Sequence, residues 1–423
     1  LEVNLWGYAV STYPLVMAAF LAVALGIVLI GGQLTIMVTD CVQGIFSYAG
    51  YALVAIAIFW FFSFDHFAEA MAARPSGRSF INPFDTADLT DFNLLFVFIG
   101  IAAGVYNRMS WQGAQGYNAA AINAHEQKMA GVLGTWRGGF QTLMIMLLAI
   151  AAYTFMHHPD FTAQAAAVQA ELAHRVGGAT DAAAQTLSKQ MVVPVAIREF
   201  LPAGVAGVFL AVMIFWMVST DTTYLHSWGS ILVQDIILPF RRRPFAEKTQ
   251  LLLLRLAMVA VTLFAYFFSL FYAQTTYILM YMALTGAIYV GGAGAVIIGG
   301  MYWSRGTAAG AWAGMLVGVT CAALGFFLTH SWESIMYPLL ASEYPAILGA
   351  ISTGLATLGQ LLPIANWEVG PSRFPISGQE ILLLTIVSSV TAYVLVSLAT
   401  RRQPFNLDRM LHRGPYARAE EDT

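Results

Sequence analysis

The segment from Gly31 to Gln43 places a single carboxylate inside a long apolar stretch. The pair Gly31-Gly32 is expected to turn the chain, so that Asp40 falls within the helix that follows. A carboxylate at that depth in a membrane costs a few kcal/mol, so it is expected to face a cavity and to have a partner. The alternative is a helix that begins at Thr39, with Asp40 as a first-turn acid favoured by the helix dipole.

Three hydroxyl side chains share one face of a second predicted helix. Ser219, Thr222 and Thr223 stand at positions i, i+3 and i+4, which brings their hydroxyls to the same side. Hydroxyl, carbonyl and carboxylate oxygens are the ligands that a small hard cation needs once it sheds water. The alternative is structural, because Ser and Thr in membrane helices commonly bond the carbonyl one turn earlier or hold neighbouring helices together.

Other patterns indicate less chemistry. His157, His158 and Asp160 are close enough in sequence to suggest a metal site, but three such groups in an outer loop are usually solvated, so no metal is expected there. We find no nucleophile–base pair and no Walker loop, and therefore predict neither an enzyme nor an ATP-driven pump. No organic cofactor is expected, and no basic run is paired with a nucleic-acid motif.

The composition requires a membrane around the elements that position these residues. Apolar residues make up 58% of the chain and charged residues only 10%, against about a quarter charged in soluble domains. Because a helix needs roughly 20 apolar residues to cross the hydrocarbon core, we predict about nine spans: Leu5–Ile30, Thr35–Phe62, Asn93–Tyr106, Gly138–Phe155, Ala203–Thr223, Leu251–Tyr272, Tyr277–Gly300, Thr307–Leu328 and Glu380–Leu398.

The loop charges agree with nine spans. Alternating them puts the basic loops and the Arg-rich end on one side, which the positive-inside rule makes cytoplasmic. The opposite side receives Asp65–Asp91 and His157–Phe200. Tyr344–Leu362, rich in Gly, Ser and Thr, is interpreted as a re-entrant or outward-facing helix. We therefore expect a transmembrane domain over residues 1–400 and a short cytoplasmic basic tail over residues 401–423, in the inner (plasma) membrane.

Four motifs, in order and on predicted helices, resemble the sodium:solute symporter family. Each is weak alone, but together they cover most of the chain: Gly-Gly-(x)₆-Thr-Asp-x-x-Gln from Gly31 to Gln43, Leu201-Pro202-Ala203-Gly204 with Val218-Ser219-Thr220, Tyr224-Leu225-His226-Ser227 with Asp235-Ile236, and Gly299-Gly300-Met301-Tyr302-Trp303-Ser304-Arg305 with Gly310-Ala311.

The resemblance implies an all-α, leucine-transporter-like bundle of two inverted repeats, with ions and solute bound at broken helices near the midplane. It further implies that this chain is a fragment that starts at the family's fourth core helix. One sodium site would use Ser219, Thr220 and the Trp216 carbonyl. A second, found in some members, would use Asp40 with Ser219, Thr222 and Thr223.

The segment from Ser110 to Tyr117 departs from the family pattern Asn-Gln-x-x-x-Gln-Arg. Aligned without gaps, Tyr106 falls at the inner-gate tyrosine of sugar-carrying members and Arg137 at a cationic residue. With Gln115, these two are the candidate solute or gate residues. Ala103 replaces a sugar-binding Asn, which weakens a hexose assignment.

The expected function is sodium-coupled import of a small organic solute by alternating access. One alternative is proton coupling with Asp40 as the carrier. Another is a membrane input module of a sensory protein, which the short tail after Arg402 disfavours because it holds no recognisable signalling domain.

Overall fold

The computed structural model describes residues 2–5, 8–86, 89–113, 115–175, 177, 182–241, 245–271, 277–362, 364–365, 367–401 and 405–416. Two strands form a hairpin and are followed by fifteen α-helices: β1 (Glu2–Leu5), β2 (Tyr8–Ser11), α1 (Thr12–Phe61), α2 (Phe64–Ala72), α3 (Leu94–Ser110), α4 (Gln115–Ala119), α5 (Ala124–His157), α6 (Thr162–Arg175), α7 (Ala182–Phe200), α8 (Ala203–Ile231), α9 (Glu247–Phe271), α10 (Ile278–Tyr302), α11 (Ala308–Ser331), α12 (Tyr337–Glu343), α13 (Pro345–Leu361), α14 (Gly378–Thr400) and α15 (Leu407–Met410).

Helix α1 is broken at Gly32, as the glycine pair predicts. Gly32 has φ +58° and ψ −159°, a conformation that a side chain would oppose, so the break needs glycine. Asp40 lies well inside the helix that follows the break, and the alternative start at Thr39 is wrong. The first predicted span also begins too early, because Leu5 and Tyr8–Ser11 pair as strands, with Val3 opposite Val10.

Seven helical segments in the described residues are long and apolar enough to cross a membrane. In this count Thr12–Phe61 is a single segment of 50 residues. The break of this helix at Gly32 divides it between the first two predicted spans. Leu94–Ser110 and Pro345–Leu361 are shorter apolar helices. The second of these is the helix expected over Tyr344–Leu362, and its depth in the bilayer stays a prediction. Within the expected basic tail, the structure describes residues 401 and 405–416.

Two compact units make up the chain. The first comprises Leu1–Ala70, Gln112–Ala179 and Ser188–Ala273. In it α1 packs along α8 and α9, with Val28, Ile36 and Met258 buried between them. Where α1 and α5 end, Phe61, Phe62 and Phe155 join other phenylalanines in an aromatic cluster. This unit carries both halves of the predicted ion site.

The second unit comprises Met71–Trp111, Thr180–Leu187 and Gln274–Thr423. Helices α3, α10, α11 and α14 pack in it around small side chains, since Ala103, Ala287 and Ala322 form a buried cluster with Leu382. Small residues let helix backbones approach closely in lipid, where packing replaces the hydrophobic drive between helices.

Candidate functional site

Asp40 lies at the centre of a polar cluster inside the first unit. Its Oδ2 accepts a hydrogen bond from the Tyr117 hydroxyl and a second, of 3.5 Å, from Thr223 Oγ1. The Tyr117 hydroxyl and Thr223 Oγ1 are themselves 3.2 Å apart. Helices α1, α4 and α8 therefore bring a carboxylate and two hydroxyls together, which gives Asp40 the partners its sequence position requires.

Within the described part of the chain, the other oxygen of this carboxylate has no hydrogen-bond partner. Asp40 Oδ1 is buried and has no hydrogen-bond partner among the residues that the structure describes. A buried neutral group that is left without a hydrogen bond costs about 1–3 kcal/mol, and a charged acceptor costs more. An unpaired carboxylate oxygen beside hydroxyl oxygens suits a small hard cation.

A polar face extends along α1 on both sides of Asp40. Gln33, Asp40, Gln43 and Tyr51 recur at spacings that keep them on one side of the helix. Each carries a buried polar atom without a partner in the described part of the chain: Gln33 Nε2, Asp40 Oδ1, Gln43 Oε1 and Tyr51 OH. At 1.5 Å per residue the face is about 27 Å long, close to the hydrocarbon thickness of about 30 Å. These groups can line a polar passage.

The hydroxyls predicted on α8 divide into different environments. Thr222 is buried, at 1% exposure, and donates to the Ser219 carbonyl of its own helix at 3.0 Å. This is the structural bond that the alternative expects, although its oxygen lone pairs can still accept a cation. Ser219 is partly buried and Thr220 is exposed. The Trp216 ring contacts Tyr51 edge-on, with centroids 5.7 Å apart. Of the three predicted hydroxyls, Thr223 is the one bonded to Asp40.

Tyr117 is a functional candidate that the sequence reasoning missed. The short helix α4 sits close to α1, because a Cβ added at Gly116 would lie 2.8 Å from Gln33 Oε1. Burial, and then the hydrogen bond to Asp40, raises the pKa of the Tyr117 phenol above its ordinary value. Tyr117 therefore stays a neutral donor. A signal existed in the sequence, since Tyr117 ends the segment that departs from the family pattern.

The structure describes the side chains of two of the three solute or gate candidates, one in each unit. Tyr106 belongs to the second unit, where its hydroxyl donates to the Gly291 carbonyl at 2.8 Å. Arg137 on α5 is exposed, and its Nη1 would lie 4.0 Å from a Cβ at Gly44 on α1. The side chain of Gln115 lies outside what the structure describes.

Substituting Tyr117 by Phe should weaken the apparent affinity for sodium by about tenfold, the lower end of the effect of losing a group that orients a metal ligand. The phenol donates to Oδ2 and would so hold Oδ1 toward a bound cation. The maximal uptake rate should change little, because Tyr117 positions a ligand without being essential to charge balance. The measurement is uptake against sodium concentration. An unchanged half-saturating sodium concentration would contradict this role.

Comparisons with known proteins bear on the fold and the family. A solved structure of a sodium-coupled sialic acid symporter, in a substrate-bound outward-open state described as revealing a novel sodium site, matches with a TM-score of 0.60 and 15% identity. The match covers 93% of this chain and 68% of that one. It confirms the predicted fold class, a leucine-transporter-like helical bundle. A search of curated proteins finds no match.

The family assignment follows from a match over most of the sequence. The family model described as "Sodium:solute symporter family" covers residues 8–318. Together with seven candidate spans, this makes the chain a multi-pass membrane protein of the transporter class rather than an enzyme. The chain belongs to the sodium:solute symporter family.

Proposed function

We propose that this protein couples the inward flow of sodium to the import of a small organic solute, and that Asp40 is an ion ligand. The observation that carries the proposal is the buried Asp40 Oδ1, which has no partner in the described part of the chain, beside the hydroxyls of Tyr117 and Thr223. A carboxylate in this setting needs a cation to offset its burial. Sodium is the cation that the family transports.

The proposed ion ligands form two sites. In the site that contains Asp40, this residue supplies charge, Thr223 supplies a hydroxyl that already faces it, and Ser219 and Thr222 complete the set. In the other site, Ser219 and Thr220 act with the Trp216 carbonyl. The assignment of this other site rests on the family resemblance.

The solute is proposed to carry a carboxylate. Arg137 on α5 presents an exposed guanidinium. It lies next to Gly44 of α1, the helix whose polar face holds Gln43 and Tyr51. A guanidinium binds carboxylates with two parallel hydrogen bonds. The similar protein of known structure is a sialic acid symporter, which favours the same class of solute. Tyr106 and Gln115 are proposed as gate or solute residues from the resemblance.

Sodium coupling supplies enough energy for accumulation. One charge that crosses the membrane gains about 2.3 kcal/mol per 100 mV, and the concentration gradient adds to this. Rocking of one helix bundle against the other would alternate access. With Lys248, Arg305 and Arg401 on cytoplasmic loops, the protein would lie in the plasma membrane with this side inward.

Thermal unfolding tests whether sodium binds. For the purified protein in detergent, sodium should raise the Tm by a few degrees over potassium or choline at equal ionic strength, because a ligand of the native state stabilises it. Thr223→Val should reduce this shift, since it removes the hydroxyl that faces Asp40. The matched control is Thr262→Val, because Thr262 is buried in the same unit but donates to its own helix at Met258.

The outcomes separate the candidate functions. A sodium-specific shift that Thr223→Val reduces and Thr262→Val keeps supports the proposal. A wild-type protein with no sodium shift contradicts sodium binding at this site. Uptake that persists without sodium and collapses with the pH gradient would replace sodium by protons as the coupling ion.

A further inference from the structure

Two segments far apart in the sequence bring metal-binding side chains together where α1 and α5 end. His66 comes from α2, and His158 and Asp160 follow α5, all within the first unit. One nitrogen or oxygen atom from each lies within 4.8 Å of the others. From the sequence, the possible metal ligands were His157, His158 and Asp160, and their side chains were expected to be solvated. In the fold, His66 takes the place that His157 would have held.

The distances from Asp160 to the two histidine nitrogens are close to those in a tetrahedral metal site. His66 Nε2 lies 3.4 Å from Asp160 Oδ2, and His158 Nδ1 lies 3.8 Å from the same oxygen. In a tetrahedral site with metal–ligand bonds of about 2.0–2.1 Å, neighbouring ligand atoms are about 3.4 Å apart. We propose that His66 Nε2, His158 Nδ1 and Asp160 Oδ2 bind a zinc ion.

Glu69 supports His158 from the side away from the metal. His158 Nε2 lies 3.2 Å from Glu69 Oε2, so the proton of the neutral ring can stay on Nε2. The lone pair of Nδ1 accepts a 3.2 Å hydrogen bond from the Asp160 amide, and this bond is given up when the metal binds. A carboxylate that accepts from the second ring nitrogen is the usual support of a zinc-bound histidine. For His66, the 3.3 Å bond from the Ser63 amide to Nδ1 is given up when zinc binds Nε2.

Burial and ligand type favour zinc over the transported ion. The His158 side chain is only 5% exposed, and its ring lies against Phe161, so one ligand is held in place before the metal arrives. The Asp160 side chain is 65% exposed, which leaves a path for the metal and room for a water as fourth ligand. Two imidazoles with a carboxylate suit zinc, whereas sodium, magnesium and calcium prefer oxygen.

Calorimetric titration tests the site. The purified protein in detergent, treated with a chelator and then freed of it, is titrated with zinc chloride. We expect one zinc per chain, and binding at least tenfold weaker in His66→Gln and in Asp160→Asn. Glu69→Gln should weaken it by about tenfold, because the ring loses its orienting carboxylate. Magnesium chloride should give no binding.

The adjacent histidine provides the control. His157 is exposed, and its Nδ1 lies 2.9 Å from the Tyr153 carbonyl of its own helix, so His157→Gln should bind zinc as wild type does. Cobalt chloride gives a second readout on the wild type, since a tetrahedral site with nitrogen ligands produces intense visible absorption. No stoichiometric zinc binding, or binding unchanged in both ligand variants, would overturn the proposal. Neither result bears on sodium coupling, because the two sites share no residue.

Discussion

Asp40→Asn is expected to lower sodium-dependent uptake by two orders of magnitude or more. Removing one charge from a buried ion pair costs about 3–5 kcal/mol, and each 1.4 kcal/mol is about tenfold in affinity. The variant keeps the shape of the side chain, and its amide oxygen can still accept from Tyr117. What it loses is the negative charge that the unpartnered Oδ1 offers a cation. The measurement is solute uptake into proteoliposomes under an inward sodium gradient.

The control for this variant is Asp65→Asn. Asp65 is an exposed carboxylate in the first turn of α2, so its loss should cost only the helix-dipole interaction, about 0.3–1 kcal/mol, and leave uptake intact. If Asp40→Asn transported at the wild-type rate with the same sodium dependence, Asp40 would not be an ion ligand. The coupling ion would then have to bind elsewhere in the chain.

Gly318→Ala is expected to lower the stability of the second unit. Helices α10 and α11 approach each other at Gly292 and Gly318, and a Cβ added at Gly318 would lie 2.6 Å from both the Cα and the amide nitrogen of Gly292. Backbone atoms cannot move aside as a side chain can, so the helices must separate. Overpacking of this kind costs about 1–3 kcal/mol. The Tm in detergent should fall by several degrees.

Gly286→Ala on α10 is the matched control, because nothing lies within 4 Å of the Cβ it would add. Alanine favours a helix over glycine by about 1 kcal/mol, so this variant should keep or raise the Tm. Opposite signs for the two substitutions would identify helix contact as the cause. If Gly318→Ala and Gly286→Ala had the same Tm, α10 and α11 would not pack against each other at Gly318 in detergent.

Much of the fold could be predicted because its signals are local. A stretch of apolar residues marks a membrane helix whatever surrounds it, so an α-helix covers most of each predicted span, whereas the hydropathy did not predict α2, α6 and α7. The start of α1 could not be predicted in this way. Val3, Leu5 and Val10 are as apolar as the helix that follows, and their pairing across a hairpin depends on contact between strands.

The candidate site was predicted in part. The sequence singled out Asp40 and Thr223, because a carboxylate and a row of hydroxyls are conspicuous in apolar helices, and the structure bonds the two. The roles of Ser219, Thr220, Thr222 and Trp216 remain predictions that rest on the family. Tyr117 was not selected, because its place at the end of the segment that departs from the family pattern does not show that α4 lies beside α1.

The sequence by itself determined that the chain lies in a lipid bilayer, its fold class and its family. Composition, hydropathy and ordered motifs are all properties of the chain read along its length. Only the tertiary structure decided which groups meet. It joined Asp40 to Tyr117, left Oδ1 without a partner among the residues that the structure describes, and replaced His157 by His66 beside His158 and Asp160. The physical reason is that helices pack through side chains far apart in sequence, and no local pattern records which faces will touch.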